Sequence, residues 1–305
     1  MPVPERPGEA AALREREVRE ALAADVRTRR LASAPLQVWD GGLSNHAWCA
    51  QSGGLRYFVR LSPPGAAGHG VDRDRECALL RSAADAGLAP VVVHCEPSLR
   101  LLVTRWVEGS TLSRDQAIEP DNLSRVARAM RRLHGLPVDP RVGPVDFHAQ
   151  VRRIEPQCPP LTREERGLAA TAAEAMAMLD ATAPPRTLCH NDFHHLNLID
   201  EQGRLWIVDW EYGGAGDPRF DLASFLCQHE TPPGVRAGLL AAYGAGPATA
   251  TGGLEAACWL FDYVQWLWYR ASPTIGPAAA ELYHERARAL GDKLRGASPR
   301  GPALQ

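Results

Sequence analysis

Apolar and polar residues alternate in short runs between Leu36 and Val107, and recur three and four apart after Gly109. The first spacing is that of a half-buried strand, the second that of an amphipathic helix. The first half therefore predicts strands at 36–39, 46–51, 55–61, 91–94 and 101–107. On the third run Tyr57, Val59 and Leu61 alternate with Phe58 and Arg60, and Ser52-Gly53-Gly54 turns the second run into the third. A helix over Asp72 to Ala86 interrupts the strands, and one over Glu9 to Arg30 precedes them, with Leu13, Val18, Leu22 and Val26 on its apolar face. Beyond Gly109, Pro120 to Leu136 carries Leu123, Val126, Ala127, Met130 and Leu133 on one stripe and stops at Gly135-Leu136-Pro137, a helix-end signal. Thr162 to Ala181 predicts another helix, and the Pro-rich stretch between the two carries no regular pattern. Leu198 to Asp200 and Leu205 to Val208 read as a hairpin around Glu201-Gln202-Gly203. Asp217-Pro218 opens a further helix, with Asp217 as its cap. Six aromatics between Cys258 and Arg270 mark a buried one, and residues 296–305 read as a disordered tail.

The chain of 305 residues is 45% hydrophobic, enough for a real core. A net charge of −2 leaves no basic footprint for nucleic acid or an anionic membrane, so neither is expected as a partner. No apolar leader and no run of eighteen apolar residues occurs. The seven cysteines are odd in number and have no C-x-x-C pairing, which reads as reduced thiols in a cytoplasmic protein.

The densest chemistry lies between Leu188 and Phe225. Asp192 and Asn197 stand five residues apart in one loop, and Asp209 follows the second strand of the hairpin. That topology predicts Asn197 and Asp209 at the same end of the hairpin, where a carboxylate and an amide oxygen suit Mg²⁺, which uses few protein ligands. Asp192 is then placed to accept a proton from a substrate hydroxyl. Gly41-Gly42, between two strands, reads as a plain turn or as a backbone that can approach a phosphate.

The stretch H-N-D-F-H-H-L-N, the apolar strand and D-W-E-Y resemble the catalytic core of the aminoglycoside phosphotransferase and choline kinase superfamily. His-Asn-Asp and Asp-x-Glu-Tyr lean toward its choline, ethanolamine and thiamine kinases. The resemblance covers roughly residues 36–295 and is specific at 188–225. It implies an α+β, two-lobed, protein-kinase-like fold: a small N-lobe (1–107) of antiparallel sheet with one main helix, and a mostly helical C-lobe (108–295). It further implies ATP and Mg²⁺ as cofactors and transfer of the γ-phosphoryl group to a small, cationic alcohol. An aminoglycoside acceptor, or a nucleotide-binding pseudokinase, is the alternative. Asp192 is the implied catalytic residue, and Asn197 and Asp209 the metal ligands. Gly42, Ser44 and Asn45 match the nucleotide-covering loop. Arg60 stands where relatives place a phosphate-binding cation, paired with Glu76, and the Arg105 carbonyl and Val107 amide fall at the adenine-holding hinge. His190 and Asp221 are implied to be structural, Asp221 bracing the loop through His190 or backbone amides. Glu211 is implied to lie near metal and substrate, with a surface acid as the competing reading. On the last aromatic helix, Trp259, Tyr263 and Trp266 share a face edged by Asp262. With Tyr283 they form either a substrate cation pocket or core alone. Arg73, Arg75 and Arg81 read as solvated, and His134 as a packed helix-end histidine.

Overall fold

A computed structural model describes residues 7–39, 46–63, 71–244, 253–271 and 277–301. In chain order the elements are α1 (Pro7–Ala24), β1 (Leu36–Trp39), β2 (His46–Ser52), β3 (Leu55–Leu61), α2 (Arg73–Asp85), β4 (Val92–Glu96), β5 (Leu101–Arg105) and β6 (Ser110–Thr111). Then come α3 (Arg114–Ile118), α4 (Pro120–His134), α5 (Phe147–Ile154), α6 (Arg163–Ala181), β7 (Thr187–Cys189), β8 (Leu198–Glu201), β9 (Arg204–Ile207) and β10 (Gly214–Gly216). The chain closes with α7 (Arg219–His229), α8 (Pro233–Tyr243), α9 (Gly253–Ala271) and α10 (Pro277–Gly296). Contacts divide it into two compact units, residues 1–110 with 199–211, and residues 111–198 with 212–305. The expected single cut near Val107 thus misses the return of the 199–211 hairpin to the first unit.

The N-terminal unit is built on a five-stranded antiparallel sheet of order β1-β2-β3-β5-β4. One face of β3 carries Tyr57, Val59 and Leu61, which bury with Trp48, Val103 and the α1 residues Val18 and Leu22. Helix α1 ends at Ala24, six residues short of the expected Arg30. Asp25 ends it by turning back on the Arg27 amide (2.8 Å), while the Thr28 hydroxyl donates to the Leu22 carbonyl (2.8 Å). Val26 is consequently 70% exposed and not part of the apolar face. Asp72 caps α2 by accepting from the Arg75 amide at 3.0 Å. A disulfide joins Cys77 of α2 to Cys95 of β4, with Cα atoms 5.7 Å apart, so the expectation of reduced thiols does not hold for this pair. The hairpin β8–β9 hangs on this unit through the Ile207 amide, which donates to the Leu88 carbonyl (2.8 Å).

In the C-terminal unit, α9 packs against α6, α7 and α10, and its residues from Leu254 to Tyr263 are almost all buried. Helix α5 falls in the stretch read as irregular. Its N-cap, Asp146, accepts from the Ala149 amide at 3.1 Å, and Val151 and Ile154 are its buried residues. A two-stranded ladder pairs β7 with β10 and closes the segment that carries the loop chemistry. Helix α10 runs to Gly296 and is followed by a turn at Ser298–Gly301, so the expected tail starts too early; residues 302–305 lie outside the described ones. Among the described residues no helix is long and apolar enough to cross a membrane.

Candidate active site

Each unit gathers its own set of the candidate residues. In the N-terminal unit, β3 delivers Arg60 to the interior beside α2, and its guanidinium meets Glu76 two-pronged: Nη2 donates to Oε2 at 2.7 Å and Nη1 lies 2.7 Å from Oε1. The planar fork of arginine matches a carboxylate in this way. Arg73, one turn before Glu76 on α2, donates from Nη1 to Glu76 Oε2 (2.6 Å) and to Glu211 Oε2 (3.2 Å). Its side chain is 15% exposed, which corrects the expectation of a solvated arginine. Arg81 is tied down as well, donating to the Cys95 carbonyl at 2.9 Å.

Past β9 the backbone enters the left-handed region at Asp209, with φ 63°. Aspartate tolerates that conformation better than most residues, and such turns concentrate at functional sites. Trp210 secures the turn, 1% exposed, its indole N–H donating to the Ile207 carbonyl at 3.0 Å. Arg60 Nη1 stands 3.9 Å from Asp209 Oδ1. Two guanidiniums therefore face three carboxylates. Burial opposes the Arg60 charge, but Glu76, with Asp209 and Glu211 beyond it, holds the guanidinium above its ordinary range. Glu76 and Glu211 are sealed, while the Asp209 side chain is 46% exposed. Asp209 is the acid of this set that keeps a hard oxygen accessible to a metal ion. Arg105 turns its side chain onto Tyr57, donating to the hydroxyl at 3.2 Å, and Val107 follows β5 half-buried. Gly42, Ser44 and Asn45 lie outside the described residues.

In the C-terminal unit the centre is Asp221 on α7, wholly buried. Its carboxylate accepts from the amides of His190 (3.0 and 3.1 Å) and Asn191 (2.6 Å), and from His134 Nε2 at 2.8 Å. Of the two ways Asp221 was expected to brace the loop, the backbone amides are the one observed. His134 is more than a packed histidine, since its Nδ1 lies 2.7 Å from the Tyr243 hydroxyl. Asn191 adopts φ 63° and donates through Nδ2 to the Tyr212 carbonyl at 3.1 Å, so the residue in the middle of His-Asn-Asp is one that tolerates a left-handed turn. That turn sets Asp192 on the loop with its amide donating to His190 Nδ1 at 3.3 Å. Asn197 Nδ2 then donates to the Asp192 carbonyl (2.9 Å) and to Asp192 Oδ2 (3.2 Å). With its nitrogen engaged, Asn197 has its amide oxygen left to offer a cation. Burial pushes the Asp192 carboxyl up, but the His194 imidazole, with His190 and the Asn197 hydrogen bond, outweighs it and holds it below its ordinary value.

The aromatic stripe is filled. Tyr263 is 0% and Trp266 2% exposed; Tyr263 stacks on Trp259, centroids 5.6 Å apart, and Arg270 covers the Trp266 ring at 4.7 Å. Asp262 is paired with Lys293 at 2.7 Å. Tyr283 packs on Trp268 and Tyr269 rather than on the stripe. An open cation face, one of the two readings of Asp262, Tyr263, Trp266 and Tyr283, is thus not what the structure contains: the protein's own cations occupy it. Trp266→Leu is accordingly expected to lower stability by about 2 kcal/mol, from lost packing and cation–π contact, with KM for any acceptor unchanged. Thermal denaturation beside steady-state kinetics checks this, and a raised acceptor KM at unaltered Tm would contradict it.

The model of the phosphotransferase enzyme family matches residues 35–253. The chain belongs to that family. It is 28% identical over 194 residues to protein LicA of Haemophilus influenzae, covering 61% of this chain and 56% of LicA. It is 24% identical over 268 residues to the choline/ethanolamine kinase of Mus musculus, covering 80% of this chain and 60% of that one. The chain thus spans less than two thirds of the length of these two relatives. A crystal structure of a choline/ethanolamine kinase family protein from Mesorhizobium loti superposes with a TM-score of 0.73 at 25% identity, covering 92% of this chain and 93% of the other. The kinase-like fold follows from these matches, with its antiparallel N-terminal sheet and helical C-terminal part.

Two residues of these sets were not read as site residues in the sequence. Arg73 had a usable signal, three residues before Glu76 and on the same helix face. His194 had a weaker one, two residues past Asp192 in the same loop.

Proposed function

We propose that this protein transfers the γ-phosphoryl group of ATP to the hydroxyl of a small alcohol, with choline, ethanolamine or thiamine as first candidates. The observation that carries the reading is Asp192, set on a loop whose backbone amides Asp221 pins to α7. Asp192 accepts the alcohol proton as the alcohol oxygen bonds to the γ-phosphorus. The bond from that phosphorus to the bridging oxygen breaks, and the products are a phosphomonoester and ADP. Asn197 and Asp209 each keep an oxygen suited to Mg²⁺, which would offset the charge on the phosphates. Arg60, fixed by Glu76, supplies a positive charge for phosphate oxygens. The preference for a cationic alcohol rests on the likeness to choline/ethanolamine kinases and not on the α9 stripe, whose faces are occupied.

The test is ADP release from Mg·ATP over a panel of choline, ethanolamine, thiamine, neutral isosteres of these, sugars and aminoglycosides. Turnover on a cationic alcohol well above its neutral isostere is expected. Turnover on aminoglycosides alone moves the acceptor class, and nucleotide binding with no turnover on any alcohol removes the enzymatic reading.

A further inference from the structure

His194 sits two residues beyond Asp192, at the start of a single 3₁₀ turn, His195–Asn197. The Leu196 amide donates to His194 Nδ1 at 3.3 Å, closing that turn. A ring nitrogen that accepts a hydrogen bond holds a lone pair, so the neutral imidazole carries its proton on the other nitrogen. That other nitrogen, Nε2, lies 3.3 Å from Asp192 Oδ2. The local cap therefore selects the tautomer that donates to the carboxylate. The neighbouring histidine anchors the turn from its far side. His195 Nδ1 lies 3.2 Å from His229 Nε2, and the other nitrogen of His229 donates to the Phe225 carbonyl at 2.7 Å. That last bond leaves His229 Nε2 as an acceptor, so His195 donates to it and the turn is held to α7 as well as to itself.

Asn197 Nδ2 donates to Oδ2 of the Asp192 carboxylate, and His194 Nε2 stands against the same oxygen. Asn197 Nδ2 is 3.2 Å and His194 Nε2 is 3.3 Å from Oδ2, and the two nitrogens are 3.2 Å apart. Among the described residues no hydrogen bond reaches Oδ1. The Asp192 side chain is 20% exposed, so the carboxylate is sheltered on one side without being sealed. At 3.3 Å the His194 contact is longer than a tight hydrogen bond, as catalytic hydrogen bonds often are before substrate arrives.

We propose that His194 is a positioning residue: its Nε2–H locks Oδ2 of Asp192, so that Oδ1 is the oxygen that takes the alcohol proton. This deepens the reading of Asp192 as proton acceptor and rests on it. Without the histidine donor the carboxylate turns about its last torsion, and a fraction of molecules presents the wrong oxygen or the wrong angle. Such a loss falls on the chemical step and leaves nucleotide binding alone, because geometry at the reacting atom is what changes.

Three substitutions separate orientation from mere closure of the turn. In a glutamine the side-chain nitrogen overlays Nε2 of histidine, whereas in an asparagine the polar atoms overlay Nδ1 and cap the turn without reaching Asp192. The assay is ADP release from Mg·ATP, once with choline as acceptor and once with water alone. His194→Ala and His194→Asn are expected to lower kcat roughly 10- to 100-fold with KM for Mg·ATP within about 2-fold, while His194→Gln recovers most of the rate. Asparagine restoring the rate as well as glutamine would make His194 a turn cap only and overturn the proposal. So would an unchanged kcat in His194→Ala, or a glutamine variant as slow as alanine. If the alanine variant fails to fold, the glutamine–asparagine comparison decides alone. Asp192→Asn run in parallel separates the levels. Its full retention of choline-dependent ADP release sinks the reading of Asp192 as proton acceptor, on which this proposal rests, whereas its loss beside an unaffected His194→Ala sinks only the role of His194.

Discussion

Asp192→Asn is expected to lower kcat by about 10²- to 10⁴-fold, the usual contribution of a positioned proton acceptor. The substitution is nearly isosteric, and the amide can turn its oxygen toward Asn197 Nδ2 and His194 Nε2, the two donors now 3.2 and 3.3 Å from Oδ2. Its NH₂ group then occupies the place of Oδ1 and cannot take a proton. The fold should therefore survive, and so should Mg·ATP affinity, since the residue acts on the acceptor. Single-turnover kinetics with saturating Mg·ATP, beside a nucleotide titration, separate these effects. A variant that binds nucleotide more weakly yet turns over normally at saturation would assign Asp192 to the nucleotide instead. Because His194, His190 and Asn197 hold the carboxyl below its ordinary value of 3.8 despite burial, Asp192 is ionised throughout the neutral range. An acid limb near pH 6 in the rate profile would accordingly report another group.

What could be read from the residues follows the distance over which each feature is encoded. Period-two alternation around Tyr57, Val59 and Leu61 is local, and it located β3 and the position of Arg60 on it. The loop from His190 to Asn197 was legible because its polar residues sit within eight positions of one another. Helix α5 was not, because prolines flank it and, at eight residues, it carries its apolar stripe of Phe147, Val151 and Ile154 over only two turns. Arg73 looked solvated for a reason of the same kind. Its second partner, Glu211, lies 138 residues away, and burial by a distant segment leaves no mark on the helix's own pattern. The disulfide between Cys77 and Cys95 spans 18 residues without a motif to announce it. On α9 the aromatic spacing was right and the inference drawn from it was incomplete. The spacing shows which rings share a face, and only the packing shows that Arg270 and Lys293 already supply the cations.

Glu76→Ala should be the most destabilising change in the N-terminal unit. The carboxylate is 1% exposed and pairs with two arginines, Arg60 at 2.7 Å and Arg73 at 2.6 Å. Removing one member of a buried ion pair typically costs about 3–5 kcal/mol, because the remaining charge is left desolvated. That is a large part of the roughly 5–15 kcal/mol that holds most domains folded. Glu76→Gln keeps an acceptor oxygen and the volume, so it should cost less, about 1–3 kcal/mol. The pH dependence follows from the same pair. Burial pushes the Glu76 carboxyl up, but Arg60 and then Arg73 outweigh it and hold it below its ordinary 4.5. A carboxylate lowered in the folded state stabilises fully above its unfolded value, and that contribution is lost as the pH falls through the folded one. The parent protein should therefore lose stability below about pH 4.5, and Glu76→Gln should lose less over the same window. Urea unfolding at neutral and acid pH measures both quantities. Mg·ATP affinity should fall in step, since an Arg60 guanidinium without its fork partner is no longer aimed. An alanine variant with the parent's midpoint would mean that water reaches the pair in solution. If stability fell while nucleotide affinity held, Glu76 would brace α2 without orienting Arg60, and the phosphate-binding role would pass to another cation.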